Sequence, residues 1–191
     1  MLIGLLHSQR NGHQPIALVG GATGKIGDPS GRKTERTAME VDMISHNVAS
    51  IEKQIRHIFN NHKELLHKKS TPLPELIVVN NADWYSQLNF VEFVSQIGRF
   101  FRMGSMLSRA SVQSRLQSEQ GMSFTEFTYQ IFQAYDWLHL LKHFNCRFQL
   151  GGSDQMGNIM SGHELISRVV KTEVFGLTLP LITNEEGDKF G

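Results

Sequence analysis

Four short strand-like runs, Ile16–Val19, Leu76–Val79, Arg147–Leu150 and Leu179–Ile182, are separated by stretches whose apolar residues recur every three or four positions. Such stretches predict helices over Leu2–Gln9, Thr37–Leu66, Phe90–Phe100, Gly104–Leu116, Thr125–His143 and Gly157–Val170. Short buried strands alternating with helices predict an α/β fold, in which a parallel sheet is covered by helices on both faces. In an open sheet of this kind, ligands bind beyond the carboxyl ends of the strands. Three of the four runs lead there into unusual segments: Gly20-Gly21-Ala22-Thr23-Gly24, Asn80-Asn81-Ala82-Asp83-Trp84 and Gly151-Gly152-Ser153-Asp154-Gln155.

With 191 residues, 40% of them hydrophobic, and neither a linker nor an internal repeat, the chain reads as a single domain with a sizeable core. A net charge of +1 gives no electrostatic bias toward nucleic acid or an anionic membrane. The single cysteine, Cys146, rules out an internal disulfide and a multi-cysteine zinc site, and its plain reading is a small buried apolar side chain. The apolar run at the start is too short for a signal peptide, and no window reaches membrane-spanning length. No membrane partner is therefore expected.

The glycine-rich loop Gly20–Gly31 admits three readings. As a phosphate-binding P-loop it fails, because Ile26 stands where a hydroxyl must bind magnesium. As a dinucleotide fingerprint, Gly21-Ala22-Thr23-Gly24-Lys25-Ile26-Gly27 is similar to the loop of short-chain dehydrogenases, which makes an NAD(P)-binding oxidoreductase the alternative. Against this, Asp28-Pro29-Ser30-Gly31 interrupts the chain where a helix must continue, and no Tyr-x-x-x-Lys pair is present. The third reading is a structural turn without a ligand.

Taken together, LVGGATGKIGDPSGRKTER, GMSFTEFTYQIFQAYD and QLGGSDQMGNIMSG resemble, in order and spacing, the tyrosyl-tRNA synthetases, a class I aminoacyl-tRNA synthetase family. The closing FGLTLPLIT and GDKFG resemble that family's approach to its KFGKS or KMSKS loop. Phe101-Arg102-Met103-Gly104 and Asn158-Ile159-Met160-Ser161-Gly162 look more like the mitochondrial branch, which implies the mitochondrial matrix.

The resemblance implies a Rossmann-like catalytic domain that joins L-tyrosine to ATP, releases pyrophosphate, and transfers tyrosine to tRNA(Tyr). It implies ATP as a substrate with Mg2+ and no tightly bound cofactor. It also implies a homodimer with an interface near Phe124. Asp28, Tyr129 and Gln133 would hold the tyrosine ammonium group, Asp136 would meet the phenol, and Gln149 would support the pocket. Tyr129, Gln133 and Asp136 are spaced by four and three residues, which puts them on one helix face. A buried acceptor for the phenol rejects phenylalanine because the site's polar groups would be left unpaired, a rule for which tyrosyl-tRNA synthetases are the standard case. Gly151, Gly152 and Asp154 would meet the ribose and Gln155 the reacting carboxyl group. Arg32 and Arg36 would neutralise the leaving pyrophosphate, with Lys189 in the lysine loop.

Two expected features of the family are not found. The chain begins at Met1, inside what corresponds to the helix after the HIGH motif, and His7 and His13 lie too far along to replace that motif's histidines. It stops at Gly191, before the loop's second lysine. The expectations are that this chain alone forms little adenylate, charges no tRNA, and exposes apolar sheet surface. A noncatalytic relative that binds tyrosine or RNA is a further alternative.

Overall fold

The computed structural model describes residues 1–32, 34–37, 39–67 and 71–184, so the reading of Lys189 lies outside the described residues. Contacts divide the chain, expected to be one domain, into two compact units. One comprises Met1–Lys25 with Met39–Ser86, the other Ile26–Ala38 with Gln87–Gly191.

In the first unit, α1 (Leu2–Arg10) leads to β1 (Ile16–Val19), and α2 (Val41–Asn61) carries the chain over to β2 (Ile77–Asn80) and a short α3 (Ala82–Tyr85). β1 and β2 pair in parallel, Ile16 opposite Ile77 and Val19 opposite Asn80, as a helical crossover requires. The periodic stripe of α2 makes the core: Ile55 and Phe59 pack on Ala17 and Val19, with Leu2, Leu5 and Leu6 of α1 closing over them. The helix expected over Thr37–Leu66 is shorter than its apolar periodicity. Glu40 is extended, and after Asn61 the chain winds into one π turn, His62–Leu66.

The second unit runs through α4 (Phe90–Gln96), α5 (Met103–Leu107), α6 (Ala110–Leu116), α7 (Phe124–Phe144), β3 (Phe148–Gly152), α8 (Met156–Val169) and β4 (Phe175–Leu179). The expected single helix Gly104–Leu116 is two, because Arg109 takes an extended ψ of 135° between them. α7 starts on a cap, Ser123 Oγ accepting from the Glu126 amide, and stops at Asn145, which is left-handed with φ 52°. The Glu126 side chain is turned inward to a buried ion pair with Arg115 at 2.9 Å, the two being 3% and 1% exposed.

β3 and β4 also pair in parallel, Gly152 opposite Leu179. The fourth strand, expected at Leu179–Ile182, lies at Phe175–Leu179. The run Leu-Pro-Leu-Ile looked strand-like, but Pro180 lacks the N–H that a ladder needs and ends the strand. Phe148 and Phe175 stack on the exposed side of this pair, their ring centroids 5.2 Å apart. The core of the unit is the crossing of α7 and α8: Ala134, Trp137, Leu138 and Leu141 against Ile159, Leu165 and Ile166. At that crossing a Cβ on Gly162 would lie 2.7 Å from the Trp137 ring. Parallel strands joined by helices agree with the Rossmann-like α/β fold read from the sequence.

Candidate active site

The first glycine loop is a closed turn. After β1 the chain makes a 3-10 turn, Thr23–Lys25, and no helix continues it. The amides that a phosphate cradle would aim at a ligand are taken from β2's end. Gly21 N donates to Asn80 Oδ1 at 3.1 Å, and Ala22 N donates to Asn81 Oδ1 at 2.7 Å. Asn81, wholly buried, also donates to Thr23 Oγ1 at 2.9 Å. A Cβ on Gly21 would sit 2.3 Å from Asn80 Oδ1, so glycine is needed there for an internal contact. Of the three readings of this loop, the turn describes Gly20–Lys25, and the dinucleotide reading loses its two leading amides.

The second glycine segment does something else. Ile159, 2% exposed, seats the start of α8 on the strands: a Cβ on Gly151 would lie 3.0 Å from its Cδ1, and one on Gly176 2.3 Å from its Cγ2. This fixes Gln155 and Asn158 above the end of β3. From there Gln155 Nε2 donates to Asp28 Oδ2 at 2.7 Å and to Asp154 Oδ2 at 3.3 Å. Asn158, 4% exposed, donates to Asp28 Oδ1, Ser30 Oγ and Gln155 Oε1 at 3.4, 3.2 and 3.3 Å. Asp28 Oδ1 also accepts from the Ser30 amide at 2.9 Å. Three expected site residues, Asp28, Asp154 and Gln155, are thus joined across more than 120 positions of chain.

Arg32 and Asp154 line one cleft of about 420 Å³, walled also by Ser111, Ser114, Ser153 and Gly157. That volume lies within the range of small-molecule sites. Arg36 is exposed and its stem lies over Gly27. That glycine holds a φ of +85°, and a Cβ on it would be 3.3 Å from Arg36 Cδ. Between the two arginines, Glu35 accepts from Ser123 Oγ at 2.5 Å, so the loop touches the cap of α7. On α7, Asp136 is 3% exposed, with Tyr129 and Gln133 half-buried. Burial raises the Tyr135 phenol above its ordinary pKa, and the neighbouring Asp136 charge adds to this. Gln149, half-buried on β3, has its Oε1 buried and without a hydrogen-bond partner among the described residues, which leaves an acceptor for a ligand N–H.

Sequence reasoning missed Asn158, Ser111 and Ser114. Asn158 carries a signal in hindsight: a lone amide on the apolar start of a helix, three residues after Gln155. The serines carry none, because hydroxyls on a short helix look like any solvated face. Wall position is set instead by Arg109, which reaches Glu164 of α8 at 2.6 Å. Among the described residues no group of three or more His, Cys, Asp or Glu is placed to hold a metal ion. No described helix is long and apolar enough to cross a membrane.

Comparison with known proteins bears on this arrangement directly. The family model described as class I tRNA synthetases (W and Y) matches residues 1–191. The mitochondrial tyrosine–tRNA ligase of Drosophila melanogaster is 67% identical over 195 residues, covering 100% of this chain and 42% of its own length. The human mitochondrial tyrosine–tRNA ligase is 47% identical over 190 residues, 100% of this chain and 40% of its own. A C-terminally truncated mitochondrial tyrosyl-tRNA synthetase from Coccidioides posadasii superposes with a TM-score of 0.82 at 30% identity, covering 97% of this chain and 55% of that one. The chain spans about two-fifths of the length of the two curated relatives. A match along every residue, together with the joining of Asp28 to the segment after β3, places the chain in the W and Y group of class I tRNA synthetases.

Proposed function

We propose that these residues form part of the catalytic domain of a mitochondrial tyrosine–tRNA ligase working in the matrix. The observation that carries this reading is the Asp28–Gln155–Asn158 network, which shares one compact unit with the helix bearing Tyr129, Gln133 and Asp136. The Asp28 carboxylate, with Tyr129 and Gln133, suits an ammonium group with three donors. Asp136, buried on the same helix as the other two, accepts the phenol. Gln149 Oε1 supports the pocket as an unused acceptor.

ATP lies along the cleft, with Asp154 accepting from the ribose hydroxyls and backbone at Gly151–Gly152 close by. A tyrosine carboxylate oxygen attacks the α-phosphorus, the bond to the bridging oxygen breaks, and pyrophosphate leaves. No proton need move, so the protein supplies position and charge: Gln155 orients the carboxylate, while Arg32 and Arg36 neutralise the charge that gathers on the leaving group. Lys189 joins them in this reading. Mg2+ would arrive on the phosphates, the usual mode for an ion that binds few protein ligands. The 3′ end of tRNA(Tyr) then takes tyrosine from the adenylate and AMP departs. Exposed Phe90, Val91 and Phe124, at 69%, 73% and 75%, leave apolar side chains available to a second copy.

The test is tyrosine-dependent ATP–pyrophosphate exchange. It is run on the chain and on a version extended at both ends with the matching segments of the Drosophila melanogaster relative, with phenylalanine as control. Exchange with tyrosine and not phenylalanine in the extended protein is the expected result. Its absence there would overturn the reading and favour a noncatalytic relative.

A further inference from the structure

Gln155 presents both of its amide protons to carboxylates, Asp28 at 2.7 Å and Asp154 at 3.3 Å, so in this arrangement it has none to offer a substrate. What decides that orientation is the other end of its amide. Gln155 Oε1 accepts from Asn158 Nδ2 at 3.3 Å, and an amide turned over would set two N–H groups against each other there. The same Nδ2 faces Asp28 Oδ1 at 3.4 Å and Ser30 Oγ at 3.2 Å. Asn158 is therefore a buried donor shared by three acceptors, all of them belonging to the site or to the loop that carries it.

We infer that Asn158 is a positioning residue that couples amino-acid binding to the availability of Gln155. Resting on the reading of the site as a tyrosine-activating one, the sequence of events is as follows. The ammonium group docks on Asp28 Oδ2, the oxygen that Gln155 occupies. Asn158 and the Ser30 amide keep hold of Oδ1, so the carboxylate does not swing away with its new partner. Gln155 Nε2 is released and turns its freed proton to the substrate carboxylate, while Oε1 stays on Asn158. A ligand without the ammonium group leaves Gln155 on Asp28. The coupling makes the site select an α-amino acid rather than any phenolic acid.

Two measurements separate this from the reading it rests on. In 15N-labelled chain without substrate, Asn158→Ala should shift the Gln155 side-chain amide pair and the Ser30 backbone amide. Unchanged signals would overturn the inference whether or not the protein activates tyrosine. In the extended protein, Asn158→Ala should raise KM for tyrosine and lower kcat together. The combined loss in kcat/KM should be about 100-fold, the scale of an ångström-level misplacement. Asn158→Asp places a carboxylate against Asp28 Oδ1, so its kcat/KM should fall below that of Asn158→Ala, most where both carboxylates are charged. A uniform loss across pH in both variants, with lowered unfolding temperatures, would reduce Asn158 to a structural residue and overturn the inference. If the native extended protein shows no exchange, the site reading fails by itself and the amide shifts still judge the geometry.

Discussion

Gly20-Gly21-Ala22-Thr23 and Gly151-Gly152-Ser153-Asp154 are nearly the same signal: a strand running into two glycines, a small residue and a polar one. The first is sealed and the second is open, and the paired strand accounts for the difference. Val19 stands opposite Asn80 in the register, so the residues flanking the first glycines meet two asparagine side chains that take their amides. Gly152 stands opposite Leu179, followed by Pro180, which offers neither a side-chain acceptor nor an amide. The polar groups after β3 are left to bond across to Asp28 instead. What a glycine-rich strand end does is decided by the neighbour it is hydrogen-bonded to, and its own motif does not reveal that neighbour.

Substitutions should therefore divide by readout. The largest effect belongs to the open end: Asp28→Ala removes the carboxylate proposed for the ammonium group. In the extended protein it should lower kcat/KM for tyrosine about 1,000-fold, roughly 4 kcal/mol, with a smaller loss of unfolding free energy, about 1–2 kcal/mol, from the stranded Ser30 amide. Retention of activity would erase the distinction between the two ends. Next, Asn81→Leu at the sealed end strands the Ala22 amide and the Thr23 hydroxyl, and should cost about 3 kcal/mol of unfolding free energy. Surviving molecules should keep their KM values. Gly21→Ala should follow at about 1–3 kcal/mol by overpacking against Asn80, again without a kinetic signature of its own.

The smallest effect is one of pH. His62, on the π turn of the first unit, is 4% exposed, and burial, Arg10, His67 and His7 all lower its pKa from 6.5. The folded chain binds this proton at lower pH than the unfolded chain, which takes it up near pH 6.5, so stability is lost as pH falls through that window. The slope cannot exceed about 1.4 kcal/mol per pH unit for one proton. His62→Leu should flatten that slope in urea titrations at pH 7 and pH 5.5, and an unchanged slope would assign the acid sensitivity elsewhere.

Long periodic segments were legible. Leu2–Arg10, α2, α7 and α8 follow from stripes such as Ile44, Ile55 and Phe59, because burying one face is a local demand that the sequence must show. The first two strands were placed to within a residue. What failed was decided by partners distant in the chain. The break between α5 and α6 at Arg109 answers to Glu164, and the misplaced fourth strand depended on pairing with Phe148–Gly152 rather than on its own hydrophobicity. Within the candidate site, Tyr129, Gln133 and Asp136 share a helix face that spacing alone reveals. The meeting of Asp28 with Gln155 and Asn158 spans 127 and 130 positions and has no local trace.

The close crossing at Gly162 has a mechanical side. The Trp137 ring that fills the space over Gly162 also donates through Nε1 to the Cys146 carbonyl at 3.1 Å, two residues ahead of β3. One indole thus keys three parts at once: the helix of buried Asp136, the helix of the carboxamide pair, and the strand that delivers Gly151. It works as a gauge block, setting a spacing that none of the three could hold alone. A methyl group added at position 162 would push on the ring, and its displacement would reach both halves of the site without touching a single residue that lines them.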